Sequence, residues 1–209
     1  MADAIITPEA IISYPNLYEP KTARGAAKAK YSCALIFTKD ANLKEMKLAI
    51  IATAKEKYGE KAVDMIRDGS LWTPFRKDVE SKGYDVVGGV EFLNVRTERK
   101  PGVVSEVPDP KNEGKPTPIE DPDVVYAGCI VRASVRPYCF DVEGKKGVTF
   151  GLNNVQYIRD GEHLDGRSSA QEEFDADAAK VADLSDLTDG AEAPACEEKD
   201  DESNLEDLL

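Results

Sequence analysis

The sequence is poor in the residues that build metal centres. Among 209 residues it has a single histidine, His163, and four cysteines, none of which forms a C-x-x-C pair. Because a structural zinc site needs four closely spaced histidine or cysteine ligands, neither zinc nor any other metal or cofactor is expected. The scattered cysteines predict reduced thiols in a cytosolic protein rather than a disulfide framework.

Catalytic and membrane signals are equally scarce. The chain has no G-x-x-x-x-G-K-[ST] phosphate loop, no G-x-S-x-G nucleophile elbow and no paired histidine and cysteine. No apolar run approaches the ~20 residues that span a membrane. Residues 1–6 lack the positive segment that begins a secretory signal. We therefore expect no enzymatic activity, no membrane partner and a location in the cytoplasm.

Net positive charge is absent, but the deficit lies at one end of the chain. The formal net charge is −13. Residues 168–209 contain 15 acidic and two basic residues, whereas residues 1–167 contain 25 of each and are neutral. Low apolar content and like-charge repulsion predict a disordered segment. The sequence thus predicts one domain, 1–167, followed by a disordered acidic tail, 168–209.

The remaining pattern is one of short alternating strands with one long helix. Apolar residues recur at helical spacing over 41–58, with Asn42 and Glu45 as a capping box and Gly59 as the C-terminal stop. A shorter helix follows at 60–67. Alternation predicts strands at 4–14 (interrupted at Pro8), 30–37, 90–97 and 148–159, and either one long strand or two strands in series at 124–141.

Two proline-rich stretches are predicted to be loops. Residues 15–20 read as a turn-rich connection, and residues 99–122 as a long excursion that is functional or disordered. The order of elements predicts a mainly β chain of the α+β class. Such a chain can close, or half-close, into a small barrel with one long helix.

One strand carries a pattern typical of a surface that binds single-stranded nucleic acid. Along residues 130–140, core-type residues alternate with Arg132, Ser134, Arg136, Tyr138 and Phe140. Guanidinium groups suit phosphates, and a base stacked on an aromatic ring contributes ~1–3 kcal/mol without demanding a particular sequence. An alternative stays open: Tyr138 and Phe140 cover a second small core while the arginines pair with surface acids.

Further basic and aromatic residues occupy predicted loops and strand ends, where a small barrel could bring them to one groove. Trp72, the sole tryptophan, is either a core anchor or a base-stacking residue. Tyr18, in a predicted loop, is a stacking candidate, whereas Tyr31 is expected to be buried. Outside the strand, the candidate DNA-binding residues are Tyr18, Lys21, Arg24, Lys28, Lys30, Trp72, Arg76, Lys77, Arg96, Arg99, Lys100 and Lys145.

One cluster of carboxylates offers a metal-dependent alternative. Asp78, Glu80 and Asp85 lie close together in the sequence and could in principle hold magnesium for a nuclease. Acids in a loop beside lysines are more often simply solvated, and we expect that here.

Three stretches resemble a family of tailed-phage single-stranded-DNA-binding proteins. They are 88–96 (Gly-Gly-Val-Glu-Phe-Leu-Asn-Val-Arg), 125–129 (Val-Tyr-Ala-Gly-Cys) and 146–156 (Lys-Gly-Val-Thr-Phe-Gly-Leu-Asn-Asn-Val-Gln). The resemblance covers most of residues 5–165. It implies an OB-fold, which is a five-stranded Greek-key barrel, and sequence-nonspecific binding of single-stranded DNA. It also implies a role in phage DNA replication or recombination in the infected bacterial cell, with no catalytic residue.

If the barrel binds single-stranded DNA, the acidic tail also has an expected function. We expect it to compete with DNA for the basic groove and to recruit phage or host replication and recombination enzymes, with self-association on DNA as a further expectation. Because residues 1–167 are neutral, binding must depend on local segregation of charge and on salt. Arg132→Ala and Arg136→Ala should each weaken it. The alternative is a phage structural or assembly protein whose polyanionic tail mimics DNA.

Overall fold

The computed structural model describes residues 3–22, 27–109, 114–142 and 144–164. The chain divides into two units, Met1–Arg167 and Ser168–Leu209. The second unit, and with it the predicted disordered tail, lies outside the described residues, so the predicted domain organisation stays a prediction. The candidate Arg24 also lies outside them.

The described residues form strands and helices in the following order. The strands are β1 Ile5–Ile6, β2 Ala10–Lys21, β3 Lys30–Thr38, β4 Gly89–Thr97, β5 Gly102–Pro108, β6 Pro116–Pro118, β7 Ile130–Val142 and β8 Lys145–Arg159. The helices are α1 Lys44–Tyr58 and α2 Ala62–Arg67, with 3₁₀ turns at Gly59–Lys61 and Glu80–Lys82. None of these helices is long and apolar enough to cross a membrane.

Within the described part of the chain, five strands close into a barrel. The pairs around it are β2–β3, β3–β4, β4–β8, β8–β7 and β7–β2. All are antiparallel except β4–β8, in which Arg96 lies opposite Gly151 in parallel register. This is the Greek-key arrangement of an OB-fold. The fold implied by the resemblance, mainly β with one long helix, is therefore confirmed.

The core fills the interior of this barrel and one of its ends. Val131, Ala133 and Val135 of β7 are buried, so the predicted alternation along that strand is confirmed. The helix α1 packs Met46, Ile50 and Ala54 into the same core cluster. The residues of the barrel strands that point away from this core therefore form its outer surface.

Both predicted helices are present, but the first begins differently. The N-cap of α1 is Leu43, which makes no capping side-chain bond, so the predicted capping box does not form. Instead, the backbone N–H of Lys44 donates to Oδ1 of Asn42 at 3.1 Å. Gly59 ends α1 at φ +70, a conformation that favours glycine, as predicted.

Both predicted loops contain strand residues, for different reasons. Residues 15–20 continue β2, because a bulge between Ser13 and Asn16 accommodates Pro15 without breaking the pairing to β3. Part of the stretch 99–122 forms the hairpin of β5 and β6, and β5 pairs in parallel with β8. Proline is tolerated in a strand at a sheet edge or a bulge, so a proline-rich stretch is not necessarily a loop. Strand partners that are distant in sequence cannot be read from local patterns.

A second small core covers part of the outer barrel surface. Ile11, Ile36, Tyr84 and Phe92 are buried together, and the ring of Tyr84 meets that of Phe92 edge-on at 5.2 Å. A Cβ on Gly89 would lie 2.6 Å from the carbonyl oxygen of Tyr84, so glycine lets this cover approach β4 closely. This second core covers only part of the outer surface of the barrel, and the rest of that surface is accessible to a ligand.

Candidate nucleic-acid interface

A groove of about 480 Å³ runs along the outer face of β2, β3 and β4. Since Cys33 and Leu35 point into the core, Ser32 and Ala34 point outward and form the groove's β3 side. Around them lie Tyr14, Lys21, Ala27, Lys28, Lys30, Asn94, Arg96 and Glu98. The groove therefore combines an apolar and hydroxyl floor with a mostly basic rim.

One acid, Glu98, moderates the charge of this groove. The ammonium of Lys30 lies 3.2 Å from its carboxylate and that of Lys28 lies 3.9 Å away. The hydrogen bond from Lys30, followed by the charges of Lys28 and Lys30, holds the pKa of Glu98 below its ordinary value. Exposed ion pairs of this kind stabilise little, so both lysines can turn to a phosphate at small cost.

A row of residues across the barrel connects this groove to β7. Ser32 of β3 pairs with Arg96 of β4, Arg96 lies opposite Gly151 of β8, and Gly151 lies opposite Arg136 of β7. Both arginines are exposed. Because neighbouring strands lie ~4.8 Å apart, the backbones of Arg96 and Arg136 are roughly 10 Å apart. Gly151 itself contributes no side chain to the surface between these two arginines.

An aromatic cluster continues the row along β7 and β8. A Cβ on Gly151 would lie 3.5 Å from the ring of Tyr138, and one on Gly147 would lie 2.5 Å from that of Phe140, so both rings rest over glycines. Trp72 meets Phe140 edge-on, with ring centroids 5.8 Å apart. Tyr138 and Trp72 remain 43% and 42% exposed, which makes them available for stacking.

Backbone bonds place the tryptophan beside β8. The N–H of Trp72 donates to the carbonyl oxygen of Lys146 at 3.0 Å, and the N–H of Val148 donates to that of Trp72 at 2.9 Å. Trp72 is thus a surface residue rather than a core anchor. Lys145, also exposed, begins β8 next to this cluster.

The two interpretations of the β7 face apply to different ends of the strand. Arg132 lies 3.7 Å from Glu9, which also binds Arg159 at 2.7 Å, so here the arginine pairs with a surface acid. Arg136 forms no ion pair within the described residues. Tyr138 is exposed, whereas Phe140 is partly buried against Trp72. Only the Arg136 end therefore offers free cationic and aromatic groups together.

Other candidates are held by partners within the protein. Arg76 binds Asp78 at 3.2 Å, and Lys77 lies 3.6 Å from Glu91.

The hydroxyl of Tyr18 donates to the carbonyl oxygen of Ile119 at 3.1 Å. Burial, with the charge of Asp121 as a smaller cause, raises the pKa of Tyr18. Tyr18 is thus packed against the core rather than free in a loop. Tyr31, expected to be buried, is partly exposed, while Arg99 and Lys100 are exposed just beyond β4.

The carboxylates proposed for magnesium do not form a joint site in the described part of the chain, where no three histidine, cysteine or acidic residues are placed to hold an ion. Asp78 receives hydrogen bonds from Arg76 and from the hydroxyl of Ser81. Its carboxylate is thus engaged by side chains that a metal would have to displace.

Sequence reasoning missed two features of this surface. Tyr14, at the edge of the groove, was assigned to the end of a strand and not to the site. Gly147 and Gly151 lie in the stretch 146–156 that carries the family resemblance but are not among the predicted site residues, although their spacing of four along one strand face is a readable signal. Glycines in a strand often mark close approach by another group.

Comparison with known proteins places the chain in a family. Residues 3–185 match the family model described as Enterobacter phage Enc34, ssDNA-binding protein. The chain belongs to this family. The resemblance noted in the three sequence stretches is thereby confirmed. The family is named for binding single-stranded DNA, and its model extends over the whole described barrel.

Relatives and solved structures agree with this assignment. A protein named p50, from Acyrthosiphon pisum secondary endosymbiont phage 1, is 31% identical over 172 residues, covering 78% of this chain and 88% of the relative. The Enc34 single-stranded DNA-binding protein in complex with ssDNA superposes with a TM-score of 0.60 at 22% identity, covering 77% of this chain and 89% of that one. A single-stranded DNA binding protein of bacteriophage T7 gives 0.52 at 13% identity, covering 84% and 94%. At such identities the structural likeness supports the fold.

Proposed function

We propose that this protein binds single-stranded DNA across the outer face of its barrel, without catalysis and without strong sequence preference. The observation that carries the proposal is the row from Ser32 through Arg96 and Gly151 to Arg136. It joins the basic groove to the exposed aromatic cluster. Cations for phosphates and rings for bases thus lie along one path.

The exposed rings favour a single strand over a duplex. In duplex DNA each base is already stacked on its neighbours and cannot stack on Tyr138 or Trp72. In a single strand every base offers a free face, whatever its identity. The relatives support the same substrate, because the family is described as ssDNA-binding and the Enc34 protein was solved with ssDNA.

The acidic tail is proposed to compete with DNA for the groove. The last described residue, Leu164, lines a second groove that shares Tyr14 and Lys21 with the first. The composition of this 42-residue tail predicts a random coil, and a random coil of that length has a root-mean-square extension of roughly 35 Å. Its charge of −13 matches the sign of the ligand it would displace.

Replication and recombination enzymes of the phage or its host are the proposed partners of the tail. The tail contains apolar residues among its acidic ones, and residues 204–209 read Asn-Leu-Glu-Asp-Leu-Leu. Such a segment can offer steering charge and an apolar anchor together. Self-association on DNA is a further proposal, which sedimentation of the protein with and without oligonucleotide would test.

A gel-shift series tests the proposal. Full-length protein and residues 1–167 are each titrated against a labelled dT oligonucleotide and a duplex of equal length. We expect the single strand to bind more tightly than the duplex, and residues 1–167 to bind more tightly than the full chain. The difference in affinity for the single strand between the two proteins should become smaller as the salt concentration rises, because salt screens the attraction between the acidic tail and the basic groove.

Two outcomes would count against the proposal in different ways. If residues 1–167 bind no single strand, the DNA-binding function is wrong, and a tail that mimics DNA becomes the better explanation. If they bind no more tightly than the full chain, the barrel binds DNA but the tail is not its competitor.

A further inference from the structure

Tyr14 adopts a backbone conformation that side chains avoid. Its φ of +48 makes it the one non-glycine residue with positive φ in the described part of the chain. This left-handed region suits glycine, and to a lesser extent asparagine and aspartate, but crowds the Cβ of other residues. The side chain is 68% exposed, so the strain is not offset by burial of the ring.

A bulge in β2 creates this conformation. Between Ser13 and Asn16 the chain advances three residues, while the partner strand retreats only two, from Ala34 to Ser32. The side-chain amide of Asn16 donates to the carbonyl oxygen of Tyr14 at 3.2 Å and stabilises the bulge. Bulges often redirect a side chain close to a functional site.

The ring of Tyr14 stands where two grooves meet. It lines the basic groove of about 480 Å³ and a second groove of about 560 Å³. Lys21 is also common to both, and Lys82 and Tyr84 line only the second. An exposed ring at such a junction can pack against a base that passes from one groove to the other.

We propose that Tyr14 stacks on a base of the bound single strand at the junction of the two grooves, and that its strained backbone is retained because it presents the ring there. The second groove then continues the binding path beyond the first, with Lys21 and Lys82 near the phosphates. This inference rests on the proposed function and adds a stacking residue and a second subsite to it. Backbone strain at a position of this kind is a recurrent mark of function.

Two substitutions in the full-length chain separate the ring from the backbone. Tyr14→Gly removes the ring and relieves the left-handed conformation, whereas Tyr14→Phe keeps both. Thermal unfolding and binding to a dT oligonucleotide are measured for each, beside the parent protein. We expect Tyr14→Gly to melt no lower than the parent yet bind about 5- to 150-fold more weakly, the range for one lost base stack. Tyr14→Phe should bind like the parent.

Each contrary result has its own meaning. Parent-like affinity in Tyr14→Gly, with a parent that binds DNA, overturns the stacking role while the proposed function stands. A lower melting temperature in Tyr14→Gly overturns the claim of strain, and weak binding by Tyr14→Phe shows that the ring alone does not explain the affinity. A parent that binds no single strand refutes the proposed function itself.

Discussion

Arg136 and Arg132 lie four residues apart on one face of β7 and form a matched pair for mutagenesis. The sequence alone predicts that losing either one weakens binding. The structure separates them, because Glu9 lies 3.7 Å from Arg132, whereas Arg136 forms no ion pair within the described residues and lies across Gly151 from Arg96. Arg136→Ala should therefore weaken DNA binding, and Arg132→Ala should change it little.

The expected magnitude follows from counterion release. Each phosphate contact on single-stranded DNA contributes about 0.7 to the slope of log K against log salt concentration. Losing one contact should reduce the slope by about that amount. Between 50 and 200 mM salt this corresponds to roughly a 2.6-fold difference in how far affinity falls. For Arg132→Ala the slope should stay unchanged, since Glu9 keeps Arg159 as its partner at 2.7 Å.

Fluorescence anisotropy of a labelled dT oligonucleotide, titrated at four or five salt concentrations, measures both slopes. Thermal unfolding of each variant serves as the check that the barrel is intact. Equal slopes for the parent and Arg136→Ala would show that this arginine contacts no phosphate. A loss confined to Arg132→Ala would show that the strand binds the opposite end of β7, and the proposed path would then be wrong.

Two more predictions concern the barrel itself. Gly128 has φ +123, and a Cβ there would lie 1.9 Å from the carbonyl oxygen of Glu162, so Gly128→Ala should lower the free energy of unfolding by about 1–3 kcal/mol in urea titrations. Gly144→Ala, at φ +78 with nothing within 4 Å, is the control, and an equal loss there would contradict the close approach. Burial raises the pKa of Cys33 from 9.0 to about 12, so its thiol stays protonated at pH 8.5 and should resist iodoacetamide until urea unfolds the protein. Rapid native labelling of Cys33, located by peptide mass spectrometry, would contradict that burial.

Much of the barrel could be predicted from local pattern. The alternation of Val131, Ala133 and Val135 with outward residues gives both the strand and its core face. The spacing of Met46, Ile50 and Ala54 gives the helix and its buried side. These signals suffice because side-chain direction follows directly from the period of each element. Closure of the barrel, by contrast, depends on the pairing of β4 with β8, whose partners are more than fifty residues apart.

The candidate site was less predictable for a related reason. The sequence pattern gives no reason to distinguish Arg132 from Arg136, because both lie on the outward face of the same strand. Only the tertiary structure shows that Glu9 pairs with Arg132. The two tyrosines of β2 differ for a similar reason: Tyr18, the predicted stacking residue, is packed against the core, whereas Tyr14, which is not among the predicted site residues, is exposed at the groove. The bulge at Tyr14 exposes one tyrosine, while the packing of β2 against Ile119 occupies the other. Which charged or aromatic residue is free depends on neighbours that are remote in sequence.

Photo-crosslinking with a bromodeoxyuridine-substituted single strand tests the central claim most directly. The full-length protein is irradiated with the oligonucleotide, and the crosslinked peptides are identified by mass spectrometry. The proposed path predicts adducts at the exposed rings along it, Tyr14, Tyr138 and Trp72. Crosslinks confined to the Glu9 end of β7, with none at these three rings, would contradict it.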